Sequence, residues 1–137
     1  MRWLIDANIL LDVLQNREPH VRDSAMIWKL CETGQAEGYV SALTVANLVY
    51  IMRRELTPEK VEQVMSALML IFRVAEITAS DLAAAARLRW DDFEDALQSV
   101  TARRIQADRI ITRNVRDFSE SAVPAVTPAA WLSQQKE

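Results

Sequence analysis

"WLIDANILLD", residues 3–12, sets three large apolar residues directly against a carboxylate and then resumes an apolar run. With Arg2 in front, "RWLI" reads as a short buried strand. "ANILLDVLQN" (7–16) reads as a helix that begins just after Asp6. Asp6 therefore stands at the carboxyl end of the first strand. It can act there as a helix cap or as part of a site.

Outward from this stretch the pattern repeats. "VRDSAMIWKLCETG" (21–34) has helical apolar spacing, with Gly34 near its end. "EGYVS" (37–41) reads as a second strand and "LTVANLVYIMRRE" (43–55) as a helix. "TPEKVEQVMSALMLIF" (57–72) starts a further helix, with Thr57 as cap and Pro58 in the first helical position. "RVAEI" (73–77) and "DRIIT" (108–112) read as strands. Between them lie two helices, "TASDLAAAARLRW" (78–90) and "DDFEDALQSVTARRIQA" (91–107). The tail "PAVTPAAWLSQQ" (124–135) gives a short strand and a last helix capped by Thr127. Short apolar strands separated by helices imply parallel pairing with helices on both faces. The expected fold is a three-layer α/β/α sandwich with a short, mainly parallel central sheet, as one domain over 1–137. Open sheets of this kind place their sites beyond the carboxyl ends of the strands.

Composition agrees with a single packed domain. Half of the 137 residues are apolar, and two glycines and four prolines leave little room for linkers. A lone Cys31 excludes an internal disulfide framework and reads as a packed thiol in a reducing compartment. No signal peptide is visible, and the longest apolar run, "VMSALMLIF", is too short to cross a bilayer. A cytoplasmic protein without membrane contact is expected. The net charge of −3 argues mildly against a nucleic-acid coat protein. Yet all but three of the 16 basic residues are arginine, several in pairs, and arginine suits bidentate phosphate contacts.

Two further stretches carry chemistry. In "WDDFEDALQ" (90–98), Asp92 and Asp95 share one helix face. Asp91 as cap with Glu94 reaching back as a capping box accounts for the other acids, as does the helix dipole. Asp95 is explained less well, since it falls at the end of that first turn. In "IITRNVRDF" (110–118), a strand runs out into Thr112, Asn114 and Asp117. Turn roles are available to Asn114. The force lies in the combination, because Asp6 and the Thr112–Asp117 segment both leave carboxyl ends of strands. A helix start bearing Asp92 and Asp95 can meet them there. Carboxylates at close range repel unless a cation sits among them, and hard oxygen donors select Mg²⁺ or Mn²⁺. One His and one Cys provide no zinc signature.

The sequence resembles the PIN-domain family, which includes the toxin nucleases of VapBC-type toxin–antitoxin modules. The blocks that carry the resemblance are "LIDANILLDVL", "VSALTVANLVYIMRR", "DFEDALQ" and "IITRNVRDF", in that order across the whole chain. The resemblance implies a metal-dependent endoribonuclease that hydrolyses RNA phosphodiester bonds, acts as a homodimer and is inhibited by a small antitoxin protein. It implies Asp6, Asp95 and Asp117 as ligands of Mg²⁺ or Mn²⁺, with Asp92 binding a second ion or positioning water. Asn8, Ser41, Thr44, Thr112 and Asn114 are expected to support them, Ser41 and Thr112 by orienting carboxylates through hydrogen bonds. Arg53, Arg54, Arg113 and Arg116 are expected to hold RNA phosphates. The middle block departs from the commonest pattern. Asn47 stands where many relatives carry a glutamate, and Asp92 or Glu94 is left to supply that charge.

Two competing readings remain. A phosphotransfer domain also puts acids at strand ends. A phosphatase of that class, however, needs an aspartate two residues after the first, where Asn8 stands. A receiver needs a lysine at a late strand end, and "DRIITRN" has none. The other reading is a degenerate PIN domain that binds RNA or a protein partner without cutting, which Asn47 keeps open.

Overall fold

The computed structural model describes residues 1–135. The chain runs β1 (Arg2–Ile5), α1 (Ala7–Leu14), α2 (Val21–Glu32), β2 (Glu37–Ser41), α3 (Ala42–Met52), α4 (Pro58–Ile71), β3 (Arg73–Ala75), α5 (Ala79–Leu88) and α6 (Phe93–Arg104). It ends with β4 (Arg109–Ile111), a 3-10 turn at Val115–Phe118, β5 (Ala125–Val126) and α7 (Pro128–Gln134).

The alternation of β1 sorts the core into layers. Trp3 and Ile5 join one cluster with Ile9, Leu10, Leu48 and Trp131, while Leu4 joins another with Ala102, Ile110 and Phe118. A strand buried on both faces belongs in the middle of a sheet. β1 pairs in parallel with β2 on one side and β4 on the other, in the order β3-β2-β1-β4-β5, and all pairings are parallel. α1, α2, α3, α4 and α7 pack together, and α5 packs on α6. This is the expected three-layer α/β/α architecture.

The chain moves from β1 outward to β3, then returns through α5 and α6 to β4 on the opposite flank. The direction of winding thus reverses between β1 and β4. At such a switch point the connections leave to opposite sides and open a crevice at the carboxyl ends.

Local chemistry sets the element ends. α2 stops at Gly34, whose φ of +78° admits the left-handed turn, and Gln35 N–H donates to Leu30 O at 2.9 Å. Asp81 ties α5 to α6. Its carboxylate closes a capping box with Thr78 and receives Arg104 Nε at 2.9 and 3.0 Å. Some expected ends move. The third strand stops at Ala75 rather than Ile77. Asp108 lies outside β4, and its carboxylate instead accepts Arg2 N–H at 2.8 Å. The turn at Val115–Phe118 was not expected. It forms because Thr112 Oγ1 captures the Asn114 N–H at 3.0 Å and bends the chain directly after β4.

Gly38, inside β2, has no space for a side chain. A Cβ there would stand 2.7 Å from both Cys31 Sγ and Phe72 Cδ1. Gly38→Ala is expected to destabilise the fold by about 1–3 kcal/mol through overpacking. Urea unfolding measures this, and an unchanged midpoint would show that the Phe72 ring moves aside freely. Burial pushes the Cys31 thiol up to about 12, so it behaves as a packed apolar group.

Candidate active site at the sheet switch point

Asp6 directly follows β1, and its N–H continues the ladder to Ile111 O at 2.9 Å. Its carboxylate is fixed from two directions. Oδ1 accepts Ala7 N–H at 2.8 Å, capping α1, and Oδ2 accepts the Thr112 hydroxyl at 2.7 Å. The cap and site readings of Asp6 are therefore both satisfied by one side chain. Asn8 Nδ2 lies 3.4 Å from Asp6 Oδ2 and from Thr112 Oγ1. Asn8 Oδ1 accepts Arg113 N–H at 3.4 Å. Asp6, Asn8, Thr112 and the backbone of Asn114 thus form one network across the β1–β4 crevice.

α6 brings the second acid. Its N-cap is Asp92, whose Oδ1 accepts Asp95 N–H at 3.0 Å. This corrects the expected cap at Asp91 and the capping box through Glu94. Asp92 then holds the helix start, and Asp95 is carried to the crevice.

Asp95 stands between two hollows. A small cleft of about 60 Å³ is lined by Asp6, Thr44, Asn47, Glu94, Asp95 and Gln98 among others. A larger one of about 350 Å³ is lined by Arg89, Trp90, Asp92, Asp95, Asp117 and Glu120 among others. Asp117 arrives on the 3-10 turn after β4. The structure therefore places Asp6, Thr44, Asn47 and Glu94 around one hollow and Asp92 and Asp117 around the other, with Asp95 shared by both.

Other expected site residues lie elsewhere. Among the described residues, the Ser41 hydroxyl bonds to no carboxylate. It caps α3 and donates to Thr44 Oγ1 at 3.1 Å. Arg113 is bound to the buried Asp12, so its guanidinium is committed inside the fold rather than offered to phosphate. Arg53 and Arg54 follow α3, which starts at the site and runs away from it. Eleven residues at about 1.5 Å each remove them by roughly 16 Å, and Arg54 rests on the Tyr50 ring. Arg116 remains exposed beside Asp117 and makes no ion pair among the described residues. Two participants were missed. Asp12 was quoted but given no role, and Gln98 was passed over one turn beyond Asp95. The available signal was polar side chains on helix faces otherwise apolar.

The electrostatics show like charges without compensation. Burial raises the Asp6 carboxyl above its ordinary value, opposed by hydrogen bonds from Thr112, Ala7 and Gln98, and Asp117 adds to the rise. Partial burial raises Asp95 to about 6, reinforced by Asp92, Asp117, Asp6 and Glu94. Among the described residues, no three His, Cys, Asp or Glu side chains already stand in metal-binding geometry. The donors still fit a hard cation that keeps most of its water and takes one or two carboxylates, as Mg²⁺ does. The charges that such an ion would neutralise add to the rise at Asp95 that burial begins.

This has a measurable consequence. The folded-state value of Asp95 is about 6 against an ordinary 3.8, so folding without metal is penalised once the group ionises. The penalty is absent below pH 4 and grows as pH rises through the window from about 4 to 6. Asp95 is only partly buried, so after discounting for solvent screening the effect is about 1 kcal/mol. Asp95→Asn should therefore melt higher than the native chain at pH 7 in EDTA, and the gap should close at pH 4. Millimolar Mg²⁺ or Mn²⁺ should stabilise the native chain more than the variant. Equal melting curves at all pH values would remove Asp95 from the cluster.

No helix among the described residues is long and apolar enough to cross a membrane. The PIN-domain family profile matches residues 2–116. None of the curated proteins matches the sequence. Among solved structures, FitAcB from Neisseria gonorrhoeae is similar with a TM-score of 0.72 at 20% identity, over 93% of this chain and 98% of that one. A toxin–antitoxin complex from Klebsiella pneumoniae gives 0.70 at 23% identity, over 91% and 96%. VapC20 from Mycobacterium tuberculosis, a sarcin-ricin loop cleaving toxin, gives 0.63 at 15% identity, over 79% and 86%. At these identities the likeness is one of fold. The profile match spans most of the sequence, and the chain belongs to the PIN-domain family.

Proposed function

We propose that this protein is a Mg²⁺- or Mn²⁺-dependent endoribonuclease and the toxin of a toxin–antitoxin pair. The observation that carries the reading is the closeness of Asp6, Asp95 and Asp117 at the β1–β4 switch point, where burial and the Asp117 charge raise Asp6, and burial with the charges of Asp92, Asp117, Asp6 and Glu94 raises Asp95. Asp6, Asp95 and Asp117 would hold the ion. Once bound, it supplies a water of lowered pKa and neutralises charge developing on the scissile phosphate. Thr112 keeps one Asp6 oxygen in place and the α1 N-terminus the other. Asp92 spends one oxygen on α6 and lines the larger hollow. Of the arginines named from the sequence, Arg116 is the one left exposed beside the acids, and Arg89 joins them in the wall of the larger hollow.

The partners follow from the same reading: RNA as substrate, a small antitoxin protein, and a second copy in a homodimer, all in the cytoplasm. VapC20 cleaves the sarcin-ricin loop, and the Klebsiella structure is a toxin–antitoxin complex. That is the support relatives provide. An acidic opening also suits a basic side chain from an inhibitor.

A second reading is favoured by Asn47, which brings no charge to the small cleft, and by the absence of a ready three-carboxylate cage among the described residues. It is a PIN domain that binds without cutting. Incubation of structured and single-stranded RNA with the native chain in Mn²⁺, in Mg²⁺ and in EDTA separates the two. Cleavage with metal that disappears in EDTA supports the enzyme. Binding without cleavage in either metal supports the second reading.

A further inference from the structure

Gln98 is 6% exposed, a long polar side chain in the wall of the small cleft that holds Asp6, Asn47 and Asp95. Its Nε2 donates to Thr44 Oγ1 at 3.1 Å. Thr44 in turn receives the Ser41 hydroxyl at 3.1 Å, and both residues are buried. The same side chain lines the small cleft beside Asp6 and Asp95. Its oxygen, Oε1, is buried and has no hydrogen-bond partner among the described residues. A buried orphan acceptor opposes folding. An apolar side chain of equal length would satisfy the core better, so packing alone gives no reason for a glutamine at this position.

We propose that Gln98 is a positioning residue for the metal centre: anchored through Thr44 and Ser41 to the start of α3, it holds its unpartnered amide oxygen in the wall of the cleft beside Asp6 and Asp95, where that oxygen accepts a hydrogen bond from water carried by the ion. Thr112 reaches Asp6 Oδ2 from the β4 flank, and Gln98 approaches from α6. Outer partners of this kind fix the orientation of a ligand, and their loss weakens metal binding by about 10–100-fold. The inference rests on the metal-dependent reading above.

The test is Mn²⁺ titration of folded protein by calorimetry at pH 7, with melting in EDTA alongside. It compares the native chain with Gln98→Met, which keeps length and removes the amide, and Thr44→Val, which keeps shape and removes the anchor. Both variants are expected to bind Mn²⁺ 10–100-fold more weakly, and the double variant no more weakly than the worse single one, since the two act in one chain of bonds. Gln98→Met is also expected to melt at or above the native temperature in EDTA, because the orphan oxygen is gone. Should Gln98→Met fail to fold, Thr44→Val carries the comparison. Affinity within threefold of native in the folded variants overturns the proposal while leaving the metal site standing. A native chain that takes up no Mn²⁺ overturns the metal-dependent reading, and this inference with it.

Discussion

Replacing Arg113 by Met should lower the unfolding free energy by about 3–5 kcal/mol, the cost of stranding a buried charge. The Asp12 side chain is 0% exposed and that of Arg113 is 27% exposed. Asp12 Oδ2 accepts Arg113 Nε at 3.0 Å and the Ser24 hydroxyl at 2.9 Å, and Oδ1 accepts Arg113 Nη2 at 3.1 Å. Without the guanidinium, the carboxylate keeps only Ser24. Domains of this size are stable by about 5–15 kcal/mol, so the loss is a large fraction. The pair as such is worth much less than either half alone. Asp12→Leu combined with Arg113→Met should recover most of the loss, because replacing both charges by apolar groups removes the stranded one. Urea unfolding of the three variants measures both effects. A loss below 1 kcal/mol in Arg113→Met would show that water reaches Asp12.

Asp6→Asn should reduce metal-dependent RNA cleavage on the order of a thousandfold, the scale of removing one preorganised group that stabilises developing charge. The substitution acts twice. It removes a negative charge from the centre, and it presents an NH₂ group where both oxygens now accept, from Ala7 N–H and from the Thr112 hydroxyl. Asn47→Ala should cost only about tenfold, because Asn47 lines the cleft without a charge and at most orients water. Single-turnover cleavage in Mn²⁺ gives the ranking. Equal losses in the two folded variants would promote Asn47 to the level of a ligand.

Much of this molecule was legible in the sequence, for local reasons. "RWLI" and "EGYVS" became β1 and β2 with unchanged ends. The last helix begins behind Thr127 as expected, because a hydroxyl before proline is a strong start signal. Asp6, Asp95 and Asp117 come within reach of one another's charge because a parallel sheet gathers the ends that carry them. What failed depends on distance along the chain or on a single residue of register. Asp12 with Arg113 and Thr44 with Gln98 are 101 and 54 residues apart, so no local pattern announces either pair. Consecutive Asp91 and Asp92 are equal candidates as caps, and only packing chose the second. Arg53 and Arg54 were assigned by residue type, whereas the direction of α3 carried them away from the acids.

The central place of β1 also governs when the protein can exist during its own synthesis. Its first residues emerge earliest, yet one neighbour, β4, is among the last elements made, and the Thr112 hydroxyl that seats Asp6 lies 106 residues downstream. Closing loops that long is slow and entropically costly, and parallel pairing gains nothing until the late strand arrives. A nascent chain that has produced Asp6 and Asp95 still lacks β4, Thr112 and Asp117. A fragment that ends before residue 117 cannot assemble the opening, because it lacks the full set of acids.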